Sequence, residues 1–191
     1  MYTIENNIKY ELIVKNSKFI TLLYKLDNPD INIILKQIKN EYPDATHYTY
    51  AYIFEDTKKA SDDGEPSGTA GIPILKVLES HNLSNILCVV VRYFGGIKLG
   101  ANGLIRAYTK ATANALKETA LKELIDGINV EITFSYQEIK EIDYLLNNIT
   151  INSKKFDDLI TYNINIDKDF LNTIKNHNIK YQIIKDIKIE K

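Results

Sequence analysis

The chain has no tryptophan, one methionine, one cysteine and four prolines among its 191 residues. A single cysteine, Cys88, excludes an internal disulfide framework. His81 and His177 have no partners at ligand spacing, so neither zinc nor another metal is expected. Apolar runs are short. The longest, residues 86–91, falls far below the roughly 20 residues of a membrane-crossing helix, and the opening MYTIENNIKYEL lacks the basic and then apolar pattern of a secretory signal. A cytoplasmic protein that stays off membranes is expected. An excess of positive charge is also missing: 24 basic and 25 acidic residues leave a net charge of -1. That excludes a global basic field, so any anion site must be local.

What is present is unevenly placed. Seven of the eight glycines fall between Gly64 and Gly103, and the only two arginines, Arg92 and Arg106, lie within or just beyond that stretch. Glycine serves where the backbone needs positive φ or close approach. Arginine supplies a planar fork of donors that lysine cannot reproduce. Elsewhere the chain relies on lysine, so the candidate site is expected in this segment. The rest of the composition, 45% hydrophobic and 26% charged, is that of a folded globular protein of one large or two small domains.

Residues 8–14 and 18–26 read as strands around an Asn16-Ser17 turn, residues 29–42 have helical spacing, and 45–54 read as a third strand. Apolar residues almost vanish over 55–71, which predicts a loop of roughly 15 residues, a length usually tied to function or mobility. Pro73 then opens a helix, residues 85–94 form a strand apolar enough for burial on both faces, and 101–121 form a helix. At 100° per residue, Leu104, Tyr108, Ala111 and Ala115 share one face of that helix, while Asn102, Arg106, Lys110 and Lys117 share the other. Gly127 marks a change of texture, giving domains over 1–126 and 127–191. The second reads βαββαβ, the order of a ferredoxin-like sandwich.

Two constellations could carry chemistry. The acidic loop has Asp62, Asp63 and Glu65 with Ser67 and Thr69. Its oxygens could hold a hard cation, or its hydroxyls and amides could meet a phosphate at the following helix N-terminus. It lacks the alternating ligands and closing glutamate of a calcium loop, and the plain alternative is a turn that caps the helix. The second runs strand, glycine loop, helix, with Arg92, Lys98 and Arg106 as candidate anion ligands and Asn102 and Lys110 beside them. GGxxxGxxG fits neither the P-loop nor the dinucleotide fingerprint. Its plain alternative is a tight turn with Arg92 paired to the acidic loop. Tyr93 is a candidate stacking platform, and His47 a candidate groove residue or else a satisfied strand histidine. Cys88 reads as core. No nucleophile, base and orienting acid emerge from the spacing, so no catalytic residue and no cofactor is expected.

The strings DGEPSGTAG at 63–71, RYFGGIKLG at 92–100 and GLIRAY at 103–108 resemble the hallmarks of the IMPACT/YigZ-type family. Ser17-Lys18-Phe19-Ile20 and Ala45-Thr46-His47 resemble its earlier segments, so the likeness spans roughly the first 125 residues. Asn102 departs from the small residue that pattern would place there. The resemblance implies an α+β protein: an amino-terminal domain like ribosomal protein S5 domain 2, and a ferredoxin-like carboxy-terminal domain similar to one in a translation elongation factor. It also implies proximity to translation, since eukaryotic relatives regulate it by restraining an initiation-factor kinase. Together with the positive helix face, it gives the expectation of a non-catalytic binding protein that meets RNA or a ribosome-associated protein. An enzyme or sensor for a small phosphorylated ligand, and a protein-interaction module, are the alternatives.

Overall fold

The computed structural model describes residues 1–191. It is of mixed α+β class and divides between Glu123 and Leu124 into two compact units.

The first unit is built on an antiparallel sheet. Its strands are β2 (Ile8–Val14), β3 (Ser17–Lys25), β4 (His47–Phe54), β5 (Thr57–Ser61) and β6 (Ile86–Tyr93), in the order β2-β3-β6-β4-β5. Because strand side chains alternate, β6 serves two cores. Ile86, Cys88 and Val90 face helices α2 (Gly71–Ser80) and α3 (Ala101–Leu116), whereas Leu87, Val89 and Val91 face α1 (Asn32–Glu41). Helices on both faces explain the uninterrupted apolar run, and each such side chain contributes about 1.5–3 kcal/mol by leaving water. Burial pushes the Cys88 thiol up to about 12 despite its contact with Thr112. The short β1 (Tyr2–Ile4) pairs with residues 121–123 at the start of β7 (Leu121–Phe134).

The second unit follows the order β7, α4 (Ile139–Leu145), β8 (Thr150–Phe156), β9 (Ile160–Asp167), α5 (Phe170–Asn176), β10 (Lys180–Glu190). A single 3₁₀ turn, Tyr136–Glu138, precedes α4. Its sheet order is β10-β7-β9-β8, all antiparallel. Ile128, Val130, Ile132, Tyr162, Ile164 and Ile174 belong to its core. The other sheet face carries a hydrogen-bonded group of asparagines, Asn129, Asn152, Asn163 and Asn165.

Three features differ from the sequence reading. The expected loop over 55–71 contains β5, an edge strand whose Thr57, Lys58 and Lys59 are exposed and so leave no apolar alternation to read. Helix α3 ends at Leu116, not 121, because the chain enters β7 at Leu121. Gly127, where the sequence reading sets the domain boundary, lies inside β7, and the two units divide between Glu123 and Leu124 instead. A Cβ on Gly127 would stand 2.8 Å from the Ile166 carbonyl oxygen, so the glycine permits close strand approach.

Candidate functional site

The loop over 62–70 is organised by its own carboxylates. Ala70 precedes α2 and has no side chain able to cap it. Asp62 caps instead, accepting from the backbone N–H groups of Gly68 (2.7 Å), Ala70 (3.0 Å) and Gly71 (2.8 Å). Burial pushes the Asp62 carboxyl upward, but these three amides outweigh it and hold it below its usual value. Asp63, at φ 42°, accepts from the Tyr48 N–H at 2.6 Å, and its carbonyl lies 2.8 Å from His47 Nδ1. A carbonyl only accepts, so Nδ1 carries the proton and Nε2 faces Glu65 Oε2 at 3.9 Å.

Glu65 turns inward, its side chain only 3% exposed. Its Oε1 accepts from Arg92 Nη1 at 2.5 Å and from the Tyr108 hydroxyl at 2.7 Å. Arg92 ends the buried part of β6. Its guanidinium lies 5.4 Å from the Phe19 ring and 5.7 Å from the Phe94 ring, with Nη2 3.4 Å from Ser17 Oγ. Tyr108 meets Phe19 edge to face at 5.2 Å. Burial, followed by the hydrogen bond and charge of Glu65, pushes its phenol far upward, so it stays a donor. One carboxylate thus joins the acidic loop, β6 and α3.

The glycine loop leaves the same place. Ser17 Oγ accepts from the Gly95 N–H at 3.1 Å, and Thr46 Oγ1 from the Phe94 N–H at 3.1 Å. A Cβ on Gly95 would fall 2.0 Å from the Asn16 carbonyl carbon, so only glycine lets the loop cross the β2–β3 turn. Gly100, at φ 70°, then admits α3 without a side-chain cap. Lys98, Asn102, Arg106 and Lys110 are exposed, and none of the three cations makes an ion pair.

The residues singled out in the sequence therefore separate. Arg92, Glu65, Asp62, Thr69 and His47 are engaged within the protein. Arg92 cannot meet an external anion because it is buried against Glu65, and Thr69 donates to the Pro66 carbonyl at 2.7 Å rather than to a phosphate. Asp62 occupies the amides at the α2 N-terminus where an anion would bind. Ser67 and Asp63 are exposed, although Asp63 Oδ2 and the Asp63 backbone carbonyl are already in use. Tyr93 packs with the α1-side core, and the exposed ring is its neighbour Phe94, at 47%. Tyr108 and Ser17 are the partners that spacing did not single out. Tyr108 carried a signal, a phenol on a helix face otherwise apolar; Ser17 carried only its place in a turn and in a segment that resembles the family. No group of three or more His, Cys, Asp and Glu side chains converges as metal ligands do, and no helix is long and apolar enough to cross a membrane.

This framework has known counterparts. The family pattern of the Impact N-terminal domain matches residues 15–116, which hold every residue of the cluster. The chain belongs to the IMPACT family. It is similar to the IMPACT family member YvyE of Bacillus subtilis (strain 168), 36% identical over 159 residues that cover 78% of this chain and 73% of YvyE. It is also similar to the IMPACT family member YigZ of Escherichia coli (strain K12), 34% identical over 139 residues, or 70% and 68% of the two chains. A crystal structure of a hypothetical protein superposes with TM-score 0.73 at 25% identity, covering 96% of this chain and 97% of the other. The IMPACT match ends where α3 ends, so β7 and everything after it lie beyond the family pattern.

Proposed function

We propose that this IMPACT family member is a non-catalytic, cytoplasmic RNA-binding protein acting beside translation, with Lys98, Asn102, Arg106 and Lys110 as its contact surface. The observation that carries this reading is the exposed face of α3. Asn102, Arg106 and Lys110 stand in an i, i+4, i+8 row, the helix has no acidic residue, and its cations are free. Lys98 and the exposed Phe94 extend the face through the glycine loop, adding charge for phosphates and a ring for an unstacked base. We read the first unit as ribosomal protein S5 domain 2-like and the second as ferredoxin-like. The element order and the sheet order β10-β7-β9-β8 support the second assignment, and by analogy both folds suit ribosome-associated work.

The reading of an enzyme or sensor for a phosphorylated ligand loses its donors. Asp62, Glu65 and Arg92, which would hold metal and phosphate, satisfy one another and the backbone instead. The test is fluorescence anisotropy with a structured RNA at low salt. Arg106→Ala together with Lys110→Ala should weaken binding about tenfold or more, since each lost charge-assisted contact is worth about 1.5–3 kcal/mol before solvent screening. Binding that is absent, or unchanged in the double variant, rejects the reading.

A further inference from the structure

A groove of about 320 Å³ runs between α2 and α3, with Gly68 of the acidic loop at its edge. It is lined by Ile72, Pro73, Lys76 and Val77 on one side and Ile105 and Thr109 on the other. Ile72 and Ile105, one from each helix, remain 43% and 38% exposed. Scattered exposed isoleucines are unremarkable, but two that line one cleft form an apolar seat. From Ile72 to Ser80 the groove follows α2 for about 12 Å at 1.5 Å per residue.

We propose that this groove docks an acidic amphipathic helix of a partner protein. Charge selects the acid. Lys76 sits in the wall without an ion pair, and no carboxylate lines the cleft. The one acidic residue of the two helices, Glu79, is held by Lys58 at 2.8 Å. Backbone chemistry selects the helix. The walls are helix flanks whose peptide groups are already bonded, so an extended strand would find no edge to pair with, while a helix satisfies its own backbone and offers side chains at i, i+3 and i+4. Two apolar side chains so spaced would enter between Ile72 and Ile105, and a glutamate or aspartate beside them would reach Lys76. The aliphatic lining argues against nucleic acid here, because it contains no ring on which a base could stack.

The test selects phage-displayed random 16-residue peptides against the full chain, then measures one enriched peptide by fluorescence anisotropy. Enriched sequences should be acidic, with apolar residues three or four apart. Ile105→Asp and Lys76→Glu should each weaken the peptide about tenfold or more with the thermal midpoint retained, and the uncharged Ile105→Ser should also weaken it while leaving RNA affinity intact. No enrichment over an unrelated protein, enrichment of neutral or basic sequences, or binding that survives Ile105→Asp overturns the proposal. So does a dimer that Ile105→Asp dissolves, which would give the groove to a second copy. Loss of RNA binding with Ile105→Ser would give it to the RNA surface and likewise overturn it. Because Lys76 and Ile105 lie outside the proposed RNA contacts, either reading can fail alone.

Discussion

Arg92 meets four neighbours with one guanidinium: a carboxylate from the acidic loop, the Ser17 hydroxyl, and the rings of Phe19 and Phe94. A buried ion pair of this kind is sensitive to the loss of one member, because the other is left charged and dry. Arg92→Leu is therefore expected to destabilise the first unit by about 3–5 kcal/mol, measured by denaturant unfolding. Tyr108→Phe, which removes only one donor to the carboxylate, should cost about 1.5–3 kcal/mol. Equal losses for the two would mean that the phenol, not the charge, holds the loop. Spacing alone could not assign these roles. Asp62 and Glu65 are two carboxylates in one polar loop, and nothing local says which caps a helix and which turns inward. The deciding partners, Arg92 and Tyr108, stand 27 and 43 positions away from Glu65.

At the scale of elements, α2 depends on a cap supplied from outside itself. Asp62→Ala should cost about 1–2 kcal/mol near neutral pH. The Asp62 carboxyl is depressed in the folded protein, so its contribution is complete above the unfolded value of about 3.9 and is lost as pH falls through the lower folded value. The gap between parent and variant should thus shrink as pH drops below about 4; a gap constant down to acid unfolding would contradict the assignment. Other elements were legible for equally local reasons. The run over 86–91 announced a strand covered on both sides, and angular position separated the buried Leu104 and Tyr108 from the exposed Arg106 and Lys110. Strand β5 was not legible, because an edge strand with outward lysines has no apolar period, and three-residue β1 is too short to show any period.

For the whole molecule, the net charge of -1 limits what the helix face can do. With no general positive field, the proposed face would hold RNA through its own cations, Lys98, Arg106 and Lys110. The logarithm of affinity against the logarithm of salt should therefore fall with a slope of only about -2 to -3, measured by anisotropy between low and physiological salt. A much steeper slope would place most contacts elsewhere on the chain. In the second unit, the sheet face opposite its helices is occupied by asparagines bonded to one another, with Asn129 only 7% exposed.

The trio of Glu65, Arg92 and Tyr108 also constrains how this family member can change over generations. Removing one partner leaves an orphaned charge, whereas replacing the buried pair with apolar residues of similar volume is often close to neutral. Any single substitution in the trio thus passes through a destabilised protein that a matched second change would relieve. The acidic loop, the central strand and the helix are in that sense one energetic unit, even though the chain writes them 27 and 43 positions apart.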